Sequence, residues 1–394
     1  MARYWLLIAS VALVTVPGIF LRLSGTHLDP GIQAILFGLA ILAGAFLLTW
    51  AAEVAEMDIA QGLALAFLAL VAVLPEYAVD LYFAWMAASH PEYTAYATAN
   101  MTGANRLLIG IAWPLIVFLY WLKTRQRTLI LPRERAVELL FLTLATIYSF
   151  VIPLKGTISL LDMVVLVGCF AGYVWRIAQA EAHEPELMGP AMAVGALKPG
   201  LRRGMVVLFF VFSGAVILMS AEPFAEALIH LGRQRGIDEF LLVQWLAPLA
   251  SEAPEIVIAC ILTLKGNAQA GMGAMVSSKV NQWTLLVGTL PLVYSIALGG
   301  PGALHLDSRQ VEEILLTSAQ SLFAVAVLAS LSLSVGEALA LFVLFTTQLF
   351  FPDPTVRYGF AVLYIVLALA MLVRNRRSLS NFLRAGAASE VSHQ

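Results

Sequence analysis

The sequence predicts an all-α polytopic membrane protein of about 12 transmembrane helices, and three observations indicate this class. Hydrophobic residues make up 60% of the 394-residue chain and charged residues only 12%. That charged fraction is about half of the value typical of soluble domains. Uncharged apolar runs repeatedly exceed about 18 residues, which is the length that crosses a bilayer. The polar connections between the runs are too short for a folded soluble domain. A lipid bilayer is therefore the expected partner of the chain.

Composition also excludes several function classes. The net charge is −2, and no basic patch with interleaved aromatic residues is present, so nucleic acid is not an expected partner. The only cysteines, Cys169 and Cys260, lie in apolar runs and do not form a disulfide framework. The histidines are scattered without metal-ligand spacing, and we expect no cofactor.

The first span covers residues 1–22. A signal peptide is the alternative for this segment, but no small-x-small cleavage site follows it, so an uncleaved helix is predicted. Hydropathy then places the other spans, whose ends are approximate, at 31–52, 59–88, 94–122, 136–153, 157–179, 204–229, 237–264, 268–298, 311–332, 334–352 and 356–374.

A polar segment at 181–203 divides the spans into two halves, 31–180 and 204–352. The span at 356–374 is an additional helix, and a polar tail follows at 375–394. Basic residues cluster within 123–135, 198–203 and 374–384. With the N-terminus inside, all three clusters fall on the cytoplasmic side, in agreement with the positive-inside rule. We therefore expect an integral protein of the cell (inner) membrane with both termini in the cytoplasm.

A Pro-Glu pair occurs inside an apolar span in each half, at Pro75-Glu76 and at Pro254-Glu255. A carboxylate at membrane depth is costly unless it meets a partner or water, and a proline there frees backbone carbonyl groups. An odd number of spans separates the two pairs, so their helices cross the membrane in opposite directions. The pattern predicts two inverted five-helix repeats, with one extra helix at each end, that build one shared cation site.

The residues around these pairs resemble the α-repeats of the cation/Ca²⁺ exchanger superfamily, which includes the sodium/calcium exchangers. In that pattern a Leu-Pro-Glu helix is followed by a helix with Gly-Asn and Gly-Ser-Asn motifs. Here Val73-Leu74-Pro75-Glu76 is followed by Ala99-Asn100-Met101-Thr102-Gly103-Ala104-Asn105, and Ser251-Glu252-Ala253-Pro254-Glu255 by Gly273-Ala274-Met275-Val276-Ser277-Ser278-Lys279. The resemblance implies a secondary transporter with alternating access.

The resemblance also implies site residues. Glu76 and Glu255 correspond to the central metal-ligating glutamates of the superfamily, and Asn105 to the amide of the downstream motif. The chain departs from the pattern where Ala72-Val73 and Ser251-Glu252 replace Thr-Ser pairs, and where Lys279 replaces the second amide. Further along, Leu108 and Gln282 stand where sodium/calcium exchangers keep a carboxylate or an amide. These departures remove oxygen ligands and add a fixed cation.

Several candidates have alternatives that the sequence leaves open. Glu76 and Glu255 are ion ligands or proton carriers, or buried acids that are paired or protonated. Asp80 and Glu252, one turn from these glutamates, are further ligands, or belong to an access path or an ion pair. Lys279 neutralises a nearby carboxylate or carries a proton, or else it extends to the membrane surface. Arg106 acts in the same way for the first repeat, or it pairs with Asp80 or anchors a helix end. The neutral oxygen donors, which otherwise serve in helix packing, are Asn100, Asn105, Ser251, Ser278 and Gln282.

These observations favour a secondary cation antiporter, not an enzyme. The resemblance implies exchange of Ca²⁺, or another inorganic cation, against H⁺ or Na⁺, and Na⁺/H⁺ exchange on the same scaffold is the alternative. A membrane-embedded enzyme would need a Ser-His pair, an aspartate pair or a metal motif at membrane depth, none of which the sequence contains. A channel would need a selectivity filter, and the internal inverted repeat disfavours it.

Overall fold

The computed structural model describes residues 1–58, 74–179, 187–351 and 353–375. In this part of the chain, nine helices are long and apolar enough to cross a membrane. Their order follows the predicted spans, and the all-α class is confirmed. Part of the predicted span at 59–88, part of the predicted linker and most of the predicted tail lie outside the described residues.

The chain divides into two compact units, and the first contains residues 1–83 and 174–254. Its helices begin with α1 (Ala2–Ser24) and α2 (Pro30–Ala55), and continue with the start of α3 (Leu74–Met86). Later in the chain it contains α9 (Pro190–Gly195), α10 (Pro199–Arg235) and the first part of α11 (Glu239–Lys265).

Helices α2 and α10 pack closely because α2 presents glycine where they touch. A Cβ atom at Gly38 would lie 2.9 Å from the Phe224 ring, and one at Gly44 would lie 3.1 Å from Ile217. Small residues allow helix backbones to approach each other closely. Such close packing matters in a bilayer because lipid tails are as apolar as the helix side chains, so the hydrophobic effect does not drive helices together. The two glycines therefore determine how near α10 lies to α2.

The second unit contains residues 84–173 and 255–394. Its helices are α4 (Tyr93–Leu107), α5 (Trp113–Thr124), α6 (Ala136–Ser149), α7 (Val151–Lys155), α8 (Leu160–Ile177), α12 (Ala268–Asn281), α13 (Val287–Leu298), α14 (Ser308–Leu328), α15 (Val335–Leu349) and α16 (Pro354–Arg374). A short 3₁₀ turn, Arg133–Arg135, precedes α6. Helix α14 forms the centre of the unit, and 83% of its most apolar 18-residue stretch is buried inside the protein.

Two helix pairs in this unit are joined by π-helical turns. The first turn, Leu108–Ala112, joins α4 to α5, and the second, Gln282–Leu286, joins α12 to α13. Pro114 follows the first turn and Pro291 lies beyond the second, and neither can donate a backbone hydrogen bond. A π-turn inserts a residue into the helix and shifts its hydrogen bonds, so that carbonyl groups become available to other donors. Both turns directly follow the predicted site motifs.

Two small antiparallel sheets join strands from the two halves of the sequence. Strand β1 (Thr128–Ile130) pairs with β4 (Ser332–Ser334), and β2 (Thr157–Ser159) pairs with β3 (Ala303–His305). In each pair the central residues are opposite each other and buried; these are Leu129 with Leu333 and Ile158 with Leu304. Each sheet contains one strand from each half of the sequence, in the arrangement that an internal two-fold repeat produces.

The predicted polar segment at 181–203 is partly helical where the structure describes it. It contains α9, and α10 begins at Pro199 rather than near residue 204. Proline at the first helical position explains this early start, because its fixed φ angle suits the first turn and its missing N–H group is not needed there. Hydropathy alone places the helix start too late, since the first turn of α10 is polar.

The first turn of α10 also neutralises a carboxylate beyond the end of α2. The Arg202 guanidinium donates to both carboxylate oxygens of Asp58 at 2.8 Å, and Arg203 Nε donates to Oδ1 at 3.0 Å. These hydrogen bonds, chiefly that of Arg202, lower the pKa of Asp58 to about 2. Nearby, the Glu53 carboxylate accepts a bond from the Met188 backbone. The acidic end of α2 is therefore tied to other elements of the unit and is not simply a solvated helix end.

We predict that Asp58→Asn lowers the stability of the protein by about 1–3 kcal/mol, because charge-assisted hydrogen bonds to two arginines are weakened. Since the pKa of Asp58 is lowered from 3.8 to about 2, this stabilisation is fully present above pH 3.8 and is lost as the pH falls toward 2. Thermal unfolding in detergent at neutral and acidic pH measures the effect. The matched control, Arg203→Gln, should cost less, because its side chain is 65% exposed. Equal midpoints for wild type and Asp58→Asn at pH 7 would contradict the assignment.

Candidate functional site

The first unit buries four of the predicted site residues on α3 and α11. Glu76 is 2% exposed, Asp80 0%, Ser251 7% and Glu252 3%. The Ser251 hydroxyl donates to the carbonyl oxygens of Ala247 and Pro248, one turn earlier in α11. Three carboxyl groups are thus removed from solvent in segments that the sequence places at membrane depth. Such groups require compensation by a cation, a proton or a hydrogen-bond donor.

Helix α11 carries two prolines near these acids, Pro248 and Pro254. Each lacks the N–H group that would bond to the carbonyl four residues earlier, so the helix contains carbonyl oxygens without their usual partners. Neutral carbonyl oxygens beside carboxylates are the type of ligand that hard cations prefer. The residue types on α11 therefore suit a cation.

The second unit contains the remaining acid, Glu255, and its neighbour Ser278. The Glu255 side chain is half-buried, and its carboxyl group lies near the Ser278 hydroxyl on α12, without a hydrogen bond of normal geometry between them. Two predicted site residues are therefore brought together here. Glu76 belongs to the first unit and Glu255 to the second, and their sharing of one ion site stays a prediction.

Lys279 and Asn105 form a direct contact between α12 and α4. The Lys279 ammonium donates to Asn105 Oδ1 at 2.6 Å and to the Asn105 carbonyl oxygen at 3.3 Å. It also lies 4.5 Å from the centre of the Trp283 ring, where a cation–π attraction adds to the hydrogen bonds. Both residues are fully buried. The alternative in which Lys279 extends to the membrane surface is therefore wrong.

The Asn105 carbonyl that accepts the Lys279 ammonium lies three residues before the π-turn Leu108–Ala112. Within that turn the Trp113 N–H group donates to the Leu108 carbonyl five residues earlier, as in a π-helix. The Asn105 amide nitrogen donates to the Met101 carbonyl, so that Oδ1 is directed toward the lysine. Local helix geometry thus presents two oxygen atoms of one residue to a single cation.

Two further amides are buried near these motifs. Asn100 and Gln282 are both 0% exposed. Among the residues that the structure describes, neither polar atom of the Asn100 amide has a hydrogen-bond partner. A buried amide without a partner is costly, and a bound ion or water molecule would compensate it. Asn100 therefore fits the role of a neutral ligand better than a role in helix packing.

Arg106 pairs with a residue that the sequence analysis did not single out. Its guanidinium forms a buried ion pair with Glu313 on α14, and Glu313 also pairs with Arg357 on α16. Both of these ion pairs lie within the second unit, and the alternative in which Arg106 pairs with Asp80 stays a prediction. The available signal was the occurrence of Glu312, Glu313 and Arg357 within or beside apolar spans, where charged residues need partners.

In the described residues, no group of three or more His, Cys, Asp and Glu side chains is arranged to hold a metal ion. The candidate residues instead offer carboxylates together with neutral amide, hydroxyl and carbonyl oxygens, plus one fixed ammonium. This set can bind a hard cation or protons but offers no nucleophile–base pair. These residue types suit the reversible binding of an ion.

Comparisons with known proteins agree with this chemistry. The family model described as sodium/calcium exchanger protein matches residues 31–178 and 205–352. The solved structure "Crystal Structure of H+/Ca2+ Exchanger CAX" is 46% identical, with a TM-score of 0.94 over 98% of both chains. A search of curated proteins gave no match.

Two more distant structures share the fold. That of native YfkE is 14% identical, with a TM-score of 0.61, and the match covers 94% of this chain and 99% of that one. A structure of the sodium-calcium exchanger NCX_Mj is 16% identical, with a TM-score of 0.54, over 83% of this chain and 100% of that one. The family model matches both halves of the chain, and the apolar helices make it an integral membrane protein. The chain belongs to the sodium/calcium exchanger family.

Proposed function

We propose that this protein is a secondary antiporter that exchanges Ca²⁺ for H⁺. The single observation that carries the proposal is the 46% identity, over 98% of both chains, to a structure titled as an H⁺/Ca²⁺ exchanger. The buried acids on α3 and α11 support it chemically, because a carboxyl group can hold either a proton or a share of a divalent cation. Competition between the two ligands for the same oxygen atoms is the simplest basis of exchange.

In this proposal the carboxylates of Glu76 and Glu255 are the principal Ca²⁺ ligands. Asp80 and Glu252 adjust the charge around them, and neutral oxygen atoms complete the coordination. Ca²⁺ usually takes six to eight oxygen ligands, of which only some are charged. The neutral donors that we assign to the site are Asn100, Ser251, Ser278 and Gln282, with Asn105 held by Lys279.

Lys279 supports H⁺ rather than Na⁺ as the counter-ion. Its ammonium lies 2.6 Å from Asn105 Oδ1, and so it uses an oxygen atom that a monovalent cation would need. A fixed positive charge beside the site also disfavours the binding of additional cations. Protons are affected less, because they bind to the carboxylates and neutralise them one at a time.

Alternating access would follow from the cost of buried charge. When Glu76 and Glu255 hold neither Ca²⁺ nor protons, reorientation of the site would carry ionised carboxylates across the apolar part of the membrane. Binding of either ligand removes this cost, so the loaded states reorient and the empty state does not. We place the two inverted repeats at 31–180 and 204–352, with both termini in the cytoplasm of the cell (inner) membrane, in line with the basic clusters.

We predict that proteoliposomes containing the protein take up Ca²⁺ only when an opposing H⁺ gradient is imposed. Glu255→Gln and Glu76→Gln should each reduce this uptake at least about 100-fold, because an amide cannot alternate between proton and Ca²⁺. Glu92→Gln is the matched control, since its side chain is 56% exposed beside His90 and should leave uptake unchanged. Uptake driven equally well by Na⁺ would support the sodium-coupled alternative, and near-normal exchange in Glu255→Gln would defeat the ligand assignment.

We predict that Lys279→Asn alters ion coupling rather than folding. Removal of the ammonium frees both Asn105 oxygens from Lys279, and Na⁺ should then compete with Ca²⁺ or drive its uptake, whereas we expect it to do neither in the wild type. Ca²⁺ uptake under separate Na⁺ and H⁺ gradients, together with the yield of monodisperse protein, measures the two effects. Lys198→Asn, at an exposed position just before α10, is the control. Failure of Lys279→Asn to accumulate as folded protein would contradict this prediction.

A further inference from the structure

Four charged side chains form a buried cluster in the second unit. Arg106 lies on α4, Glu312 and Glu313 lie on α14, and Arg357 lies on α16. None of the four is more than 4% exposed. We call them the α4–α14–α16 charge cluster. With two arginines and two glutamates it is formally neutral, which is the condition for burying charges in a low-dielectric region.

Glu313 is the centre of the cluster. One of its carboxylate oxygens, Oε2, accepts a hydrogen bond from Arg106, and the other, Oε1, accepts one from Arg357. Arg357 Nη1 also lies 3.4 Å from Glu312 Oε1. The Glu313 carboxylate therefore joins an arginine of α4 to an arginine of α16. Any displacement of Arg357 changes the charge balance around the carboxylate that holds Arg106.

A second contact ties the same point of α4 to α14. The Gln320 side-chain amide donates to the Arg106 carbonyl oxygen at 3.2 Å. Arg106 is thus held by both its side chain and its backbone. In addition, the ring centroids of Phe323 on α14 and Tyr364 on α16 lie 5.9 Å apart, so that α16 is packed against α14 along its length.

Arg106 directly follows Asn105, which receives the Lys279 ammonium. Neighbouring residues on a helix project about 100° apart, so one helix orientation satisfies both contacts at once. Rotation of α4 that released Arg106 from Glu313 would also move Asn105 away from Lys279. The charge cluster and the Asn105–Lys279 pair therefore determine the orientation of the same helical turn.

We infer that Arg357 is a positioning residue for the ion site, and that α16 acts through Glu313 and Arg106 to hold Asn105 against Lys279. Helix α16 lies outside the residues that the family model matches, 31–178 and 205–352. It thus adds a support that the matched repeats do not supply. The effect on Ca²⁺ transport rests on the proposed function, whereas the effect on the orientation of α4 does not.

The experiment compares Arg357→Met with Arg357→Lys and with a control on the same helix. Arg357→Met removes the charge and both contacts, and Arg357→Lys retains a donor for Glu313. The control is Asp353→Ala, which removes the α16 N-cap, where Asp353 Oδ1 accepts from the Thr355 and Val356 backbones at 2.9 and 3.2 Å. This change destabilises α16 without altering the charge cluster. Each variant is assayed as full-length protein for thermal unfolding, for hydrogen–deuterium exchange of residues 100–112, and for the half-saturating Ca²⁺ concentration of H⁺-driven uptake.

For Arg357→Met we expect faster amide exchange in residues 100–112 and an increase of about 3- to 10-fold in half-saturating Ca²⁺, the size typical of coupling through packed networks. Arg357→Lys should recover most of both values. Asp353→Ala should lower the unfolding midpoint and change neither. If Arg357→Met does not fold, the inference is tested with Arg357→Lys. The amide exchange rate of residues 100–112 in that variant should then be higher than in the wild type.

The inference is overturned if Arg357→Met lowers the unfolding midpoint as Asp353→Ala does but leaves both the exchange of residues 100–112 and the half-saturating Ca²⁺ at their wild-type values. That result would assign Arg357 to stability alone. If the wild type itself shows no H⁺-driven Ca²⁺ uptake, the proposed function fails. The exchange measurement still tests the link from α16 to α4, so the two failures are distinguishable.

Discussion

The high cost of burying charge constrains the whole structure. Each charged side chain at membrane depth must be matched by an opposite charge, by a set of hydrogen-bond partners or by a bound ion. The second unit shows two solutions. Arg106, Glu312, Glu313 and Arg357 compensate one another, whereas the Lys279 ammonium contacts neutral oxygens and the face of Trp283. We assign exchangeable partners, Ca²⁺ or protons, to the acids on α3 and α11. Charges that other protein groups compensate therefore stabilise the fold, whereas these acids form the proposed ion site.

Helix irregularities supply the oxygen atoms that these charges need. Interior carbonyl groups of a regular helix already accept one backbone N–H group, so a proline or a π-turn makes backbone oxygens more available to a cation. In this chain the interruptions follow the motif residues in both halves, at Leu108–Ala112 and at Gln282–Leu286, and two more prolines lie within α11. The Asn105 carbonyl, three residues before the first π-turn, accepts the Lys279 ammonium. The motif side chains and the interruptions of the helix backbone thus lie next to each other in both halves of the chain.

Much of the architecture follows from the sequence because a bilayer imposes the length and polarity of each span. The Pro-Glu pairs likewise identify α3 and α11 before any coordinates are considered. The partners of Lys279 and Arg106 could not be predicted in this way, because Asn105 and Glu313 are distant in sequence and hydropathy carries no information about which helices touch. The π-turns also escape prediction, since a single inserted residue leaves the apolar pattern almost unchanged. Hydropathy places the start of α10 too late, because the first turn of this helix is polar, as helix starts often are.

The central claim is that protons and Ca²⁺ compete for the carboxyl groups of Glu76 and Glu255. Proton release on Ca²⁺ binding tests it most directly, measured with a pH indicator as Ca²⁺ is added to purified protein in weakly buffered detergent solution. The account predicts that protons are released as Ca²⁺ binds, that Ca²⁺ affinity falls as the pH is lowered, and that Glu76→Gln and Glu255→Gln each remove the release. Tight Ca²⁺ binding that releases no protons and does not depend on pH would contradict it.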